Sequence, residues 1–396
     1  MRASGISVRQ YWRVSVFALF LAACGGGGGG GGGSPAPSVA TVVSAKGPNF
    51  VTVDPSGKFV YVTNEFSANV SAFTINSVTG DLTAVAGSPF AAGTTPFSVM
   101  VHPSGKFAYV ANFGSNNVSA FAVDAATGAL TEIVGSPFAA GQNPFSIAVD
   151  PSGRFAYVAN ENNASVFEPS NVSAFTIDAT TGALSAVAGS PFATGSYPGS
   201  VAVDPSGKFV YVANFNDSTI SAFTIDTVSG ALAAIAGSPF ATGPGAARSI
   251  AIDPFGRFAY VANESFANSS VSAFTINATT GALTAVAGSP YTAGIDDPLS
   301  VTVDPLGRFV YVVDSLSSKI AAFTIDATTG VLTAVARSPF NDVLATFPIT
   351  ITVDPLGRFA YVANSETNSV SGFTIDAVTG ALRSVPHSPF PAGPSP

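Results

Sequence analysis

Cysteine occurs once in 396 residues, at Cys24, so no disulfide framework holds this chain together. Histidine occurs twice, at His102 and His387, and the charged residues make up only 10% of the chain. There is no Cys-x-x-Cys-His haem site, no Gly-x-Ser-x-Gly nucleophile elbow and no His-rich cluster, which removes covalent haem, the α/β-hydrolase serine and a histidine-built metal centre from consideration. A basic track is missing as well. With 15 basic against 23 acidic residues, nucleic acid is not an expected partner, because phosphate neutralisation needs clustered Lys and Arg. No metal and no cofactor is expected.

The first 24 residues differ from the rest. Arg2, Arg9 and Arg13 precede the apolar run Val14 to Ala23, which is too short to span a bilayer and reads as an export signal. The residues Leu21-Ala22-Ala23-Cys24 resemble the lipobox of bacterial lipoproteins, in which the chain is cut before the cysteine and the sulfur receives a diacylglycerol. That resemblance implies lipidation at Cys24 and attachment to a membrane, with Gly25 in the next position implying sorting to the outer membrane. Gly25 to Gly33 and Ser34-Pro35-Ala36-Pro37-Ser38 offer no side chains for a core, so they read as a flexible tether with a root-mean-square reach of about 25 Å. The expected domains are 1-23, a lipoprotein signal peptide; 24-47, the lipidated cysteine and linker; and 48-396, the folded body. Loss of the three arginines leaves 12 basic against 23 acidic residues, a net charge near −11.

That body is a repeat. A signature read as Tyr-Val-x-Asn recurs with its tyrosine at Tyr61, Tyr109, Tyr157, Tyr211, Tyr260, Tyr311 and Tyr361, at intervals of 48, 48, 54, 49, 51 and 50 residues. Each unit reads as four short strands, and one such sheet cannot bury both faces without a neighbour on each side. The expected fold is all-β, a seven-bladed β-propeller of four-stranded antiparallel blades, preceded by the lipoprotein signal and the Gly-rich tether. In residues 96 to 141, the inner strand starts at Pro96 and ends at the turn His102-Pro103-Ser104-Gly105, which elsewhere is Asp-Pro-x-Gly. Strand two is Phe107 to Ala111, strand three Val118 to Val123, and the outer strand begins at Leu130 after an Asp-x-x-Thr-Gly turn that reads as Asx-capped rather than calcium-binding. Phe fills one slot from Phe59 to Phe359, a second from Phe73 to Phe373, and a third, after Ser-Pro, in every blade but the one with Tyr291. These rings read as packing between blades.

Comparison of the units with one another locates a variable face. The stretch from the first-turn Asp or His to the second-turn Gly is 26 residues in five blades, 32 in blade three and 28 in blade five, with the extra residues between strands two and three. The stretch onward to the next first turn varies from 22 to 24 residues, between outer and inner strands. Both variable loop sets belong at one end, where recognition residues are expected. Around the channel mouth at that end, the position after the inner-strand Pro, or after Ala247 in blade five, holds Asn49, Phe97, Phe145, Gly199, Arg248, Leu299 and Ile349. Arg248 is exceptional, since seven of the twelve mature basic residues belong to the opposite end.

The seven units resemble the YVTN repeat, and together with the strands that follow Thr-Gly-Ala-Leu they resemble the lactonase-type propellers whose founding activity is 6-phosphogluconolactonase. That family carries an Arg-His pair before one inner strand and a Glu after the strand-two Asn. Here blade five has Arg248, Ser249 in the histidine position, and Glu264 after Asn263. The resemblance therefore implies Arg248 and Glu264 as candidate catalytic residues, joined at the mouth by Ser249, Phe97, Phe145 and Asn49 as candidate ligand contacts. Without the imidazole the expected role is a monomeric binding or interaction module of the cell envelope, anchored to the membrane by its lipid, taking an envelope ligand, glycan or protein. The alternative is a lactone hydrolase at the same mouth.

Overall fold

In a computed structural model of the chain, the described residues are 45–162, 170–265, 268–292, 294–341 and 346–393. They form seven antiparallel sheets in chain order, one per sequence repeat. In blade one, strand one is Pro48–Val53, strand two Phe59–Asn64, strand three Asn69–Ile75, and the outer edge is Leu82–Ala84 followed by Phe90–Ala91. The outer strand is thus in two pieces, both paired with strand three. Between them the Ser88 hydroxyl accepts the Ala72 N–H at 2.9 Å, so a side chain supplies the acceptor that a continuous strand would have offered from its backbone. The same device recurs at the Ser-Pro serine of every other blade, including Ser136, Ser190 and Ser338. Blade five differs, with a single bridge between Val271 and Tyr291 in place of the second piece.

Strand two is buried along its whole length in blade one, Phe59 to Asn64, because sheets pack on both of its faces. The hydrophobic clusters accordingly bridge neighbouring blades: Phe59 and Tyr61 of blade one share a cluster with Val99, Val110 and Phe121 of blade two. Each Tyr of the signature is fully buried and donates to the carbonyl of the second-turn Gly of the next blade, Tyr61 to Gly128 at 3.0 Å and Tyr260 to Gly330 at 3.2 Å. That glycine has two reasons to be one. Gly128 has φ +76°, and a Cβ there would lie 2.4 Å from the Phe59 ring. The first two Phe slots are buried throughout, whereas the ring after Ser-Pro is only half-buried in blade one and packs beside Gly87 of its own turn. Outside blade seven, where Phe390 is buried, the third slot therefore contributes less than the roughly 1.5–3 kcal/mol of a fully buried ring.

The ring closes between blades seven and one by the same contacts. Tyr361 donates to the Gly80 carbonyl at 2.9 Å, and Phe359 and Tyr361 share a cluster with Val51, Val60 and Phe73. Thr350 Oγ1 accepts the Val51 N–H at 3.1 Å and donates to the Asn49 carbonyl at 3.0 Å, and the Ser71 hydroxyl donates to the Ala392 carbonyl. A strand from Thr41-Val42-Val43-Ser44 added to the edge of blade seven is a further expectation of the sequence, and it lies outside the described residues.

The first turns behave as their sequence requires. Asp54 Oδ1 accepts the N–H groups of Lys58 and Phe59, each at 2.8 Å, while Oδ2 accepts that of Ser56. In blade two His102 stands in, with Nε2 2.8 Å from the Gly153 carbonyl and Nδ1 2.7 Å from the Ser104 hydroxyl. The second turns are Asx-capped: Asp124 Oδ1 accepts from Ala126 and Thr127, which holds its carboxyl below the usual range.

Candidate functional site

Every inner strand is bulged at the same place. Pairing runs Pro48 to Asn64 and then Phe50 to Thr63, leaving Asn49 unopposed, and the corresponding residue in each other blade is Phe97, Phe145, Gly199, Arg248, Leu299 or Ile349. A bulge breaks the alternation of a strand and re-aims one side chain. Here it turns seven residues together onto the channel mouth, which they line with the residue that follows in every blade but the second. The following residues are Phe50, Ser98, Ser146, Ser200, Ser249, Ser300 and Thr350. The hydroxyls of the six Ser and Thr residues accept backbone N–H groups from the next blade, Ser146 from Val201 at 3.2 Å and Ser200 from Ile250 at 3.3 Å. Ser249 accepts from Val301 at 3.2 Å. Ser249 thus belongs to a ring of interblade ties.

Below the mouth the channel, 310 Å³ in volume, is walled mainly by Val, Ile and Ala with Ser and Thr hydroxyls, and none of the described residues that line it is charged. That volume is at the small end of ligand pockets, roughly 300–1,000 Å³. Ionic and acid–base chemistry is confined to the rim.

At the rim, strands one and two of blade five put Arg248 beside Glu264, whose Oε2 is 4.0 Å from Arg248 Nε. This is ion-pair contact at more than hydrogen-bond length. The Arg248 guanidinium also lies 5.1 Å from the centre of the Phe145 ring and 5.3 Å from that of Phe215, so residues of blades three and four support it. Phe145 is 4.5 Å from Phe97 and 6.4 Å from Phe113, and Phe97 is 5.1 Å from Phe113, so three rings form an aromatic shelf on one side of the arginine.

Carboxylates occupy the other side. Burial raises the Glu264 carboxyl above its usual range; Arg248 opposes that rise and the charge of Asp297 adds to it. Asp297 is likewise raised by burial, against a hydrogen bond from the Ser315 hydroxyl and the attraction of Arg248. Behind it Asp314 Oδ2 accepts the Asp296 N–H at 2.7 Å and Oδ1 that of Asp297 at 3.2 Å. Asp314 occupies the signature's Asn position, so the sixth copy reads Tyr311-Val312-Val313-Asp314 and the signature as read above needs that correction. The substitution is intelligible: a carboxylate offers two oxygens to the backbone of the loop that carries Asp297, whereas the amides elsewhere donate within their own blade, as Asn214 does to Thr219 and Ser221.

The remaining expected contacts are distributed around the rim. Asn49 donates to Glu65 Oε2 at 3.2 Å, and burial lifts the Glu65 carboxyl to about 7 against that hydrogen bond. Asn49 is therefore engaged with an acid on blade one. Phe97 and Phe145 are half-buried with the shelf. Neither histidine reaches the mouth, since His102 is held in its turn at the opposite end and His387 is 82% exposed beside Asp81. Asp314 lies inside the repeat signature itself, and its departure from the Asn of six sister repeats was the available signal for it.

Fold and rim together define a seven-bladed propeller with an arginine–carboxylate site at one channel mouth. The chain belongs to the family described as lactonase, 7-bladed beta-propeller, whose model matches residues 30–191, 146–245, 170–296 and 240–395. Among solved structures it is similar to a putative 6-phosphogluconolactonase from Bacteroides fragilis, with 22% identity over 84% of this chain and 93% of that one and a TM-score of 0.69. It is similar also to the periplasmic gluconolactonase of Pseudomonas aeruginosa, with 20% identity, 84% and 96% coverage and a TM-score of 0.69. A comparison with curated proteins gave no match.

Proposed function

We propose that this chain hydrolyses a lactone at the channel mouth, with Arg248 holding the carbonyl oxygen and Glu264 acting as the base. The supporting observation is the contact between Arg248 and a carboxylate whose proton affinity burial has raised. In this reading a water attacks the lactone carbonyl and passes a proton to Glu264, while the charge that develops on the carbonyl oxygen meets the guanidinium. Collapse of the tetrahedral species breaks the ring C–O bond, and the same proton goes to the departing alkoxide, leaving a hydroxy acid. A raised pKa makes Glu264 a better base than an exposed carboxylate, provided it is ionised at the working pH. At 4.0 Å the two groups are in ion-pair contact without a direct hydrogen bond between them.

The test is hydrolysis of a lactone panel above the uncatalysed rate by the mature chain carrying Cys24→Ser. Glu264→Gln should lower kcat by roughly 10²–10⁴, the usual contribution of a general base. Full activity in that variant would rule the mechanism out. Binding without turnover is the second reading, favoured by the engagement of Ser249 with Val301 where the related sites carry an imidazole. We propose further, from residues 1–38, that the protein works at the bacterial envelope, held by a lipid on Cys24.

A further inference from the structure

Resting on that reading of the mouth, we infer that its substrate is an uncharged lactone bearing an apolar substituent, and that phosphorylated sugar lactones are excluded. Two features of the rim carry this. The first is charge: Arg248 is the one basic residue among the seven bulge positions, it is already in contact with Glu264, and Asp297 and Glu65 stand on the same rim. Burial already makes a negative charge costly at all three carboxyls. A phosphate would bring close to two more negative charges to a single shared guanidinium. Phosphate recognition ordinarily uses several donors, from Arg, Lys or a helix N-terminus, and among the described residues that line the mouth Arg248 is the one cation.

The second feature is the shelf. Phe97, Phe113 and Phe145 pack on one another while remaining half-exposed, and Phe215 continues the apolar surface past Arg248. A polyhydroxylated ring laid there would lose water from its hydroxyls without new partners, which is unfavourable. An alkyl or aryl substituent would cover the rings while its lactone carbonyl sits at Arg248. The arginine lies over the edge of that shelf through its contact with Phe145, so one ligand can meet both.

The test compares three substrates on the mature Cys24→Ser chain: a δ-lactone with a pentyl side chain, glucono-δ-lactone, and its 6-phosphate. The alkyl lactone should show kcat/KM roughly tenfold or more above the other two, in the range that hydrophobic pockets achieve. Phe97→Ala should raise KM for the alkyl lactone about as much and several-fold more than it raises KM for glucono-δ-lactone, and Phe97→Leu should restore part of the loss; a thermal melt confirms that each variant is folded. Hydrolysis of the phosphorylated lactone as efficient as that of the alkyl one would overturn the inference and leave the hydrolase reading standing. If none of the three is hydrolysed, the hydrolase reading falls, and calorimetry decides the ligand class. Alkyl-lactone binding that Phe97→Ala weakens would sustain the class; no binding, or preferential binding of 6-phosphogluconate, would end it.

Discussion

Replacing Glu65 by Gln should make the protein more stable, and only at neutral and alkaline pH. The Glu65 carboxyl is buried at the rim, where its visible partner is the Asn49 amide, and burial lifts its pKa from 4.5 to about 7. The folded state therefore holds this proton more tightly than the unfolded chain does. Between about 4.5 and about 7 the folded state binds more protons, so its stability falls as pH rises through that window and levels off above it. At about 1.4 kcal/mol per pKa unit, the ionised carboxylate costs about 3 kcal/mol at pH 8, as an upper bound that solvent at the rim reduces. Gln keeps the shape and can still accept from Asn49 through its carbonyl oxygen. The variant should melt within a degree of the wild type at pH 4, and above it by roughly 5 °C at pH 8, taking about 2 °C per kcal/mol for a chain of this size. Thermal unfolding by circular dichroism across that range measures the gap. A gap that stays constant with pH, or a variant less stable at pH 8, would refute the argument that burial dominates this carboxyl.

Arg248→Ala should abolish ligand binding at the mouth with the fold retained, while Arg257→Ala at the opposite end, paired with Asp253 at 3.0 Å, should leave binding unchanged; calorimetry with the alkyl lactone compares them, and equal losses would detach Arg248 from the site. Tyr361→Phe leaves the buried Gly80 carbonyl without its donor at the seam where the ring closes, and should cost about 1–2 kcal/mol in denaturant unfolding. Cys24→Ala should release the protein from membranes, which fractionation with mass spectrometry of the mature N-terminus checks; an unmodified residue 24 in the wild type would remove the anchor.

Much of the site was legible because repeats act as their own controls. The position after the inner-strand Pro pointed to Asn49, Phe97 and Phe145, the equivalent position after Ala247 pointed to Arg248, and strand pairing within blade five brought Glu264 beside Arg248. The register was readable since Pro and the Asp-Pro-x-Gly turns fix where each strand begins and ends. The bulge was not readable. Pro96-Phe97-Ser98 alternates like an ordinary strand, and only the pairing shows that Phe97 is left unopposed and turned to the mouth.

The sequence alone determined the number of blades, the packing role of the buried Phe and Tyr slots, the turn chemistry and the end that varies, because each is set within one repeat or by the recurrence of repeats. Tertiary structure decided what no single repeat contains. Arg248 of blade five rests on Phe145 of blade three and Phe215 of blade four, Asp297 of the loop before blade six raises Glu264, and Ser249 is tied to Val301 of blade six. Residues some thirty to a hundred positions apart become neighbours only when the blades pack around the ring, and the charge and solvation of each rim group are set by those neighbours.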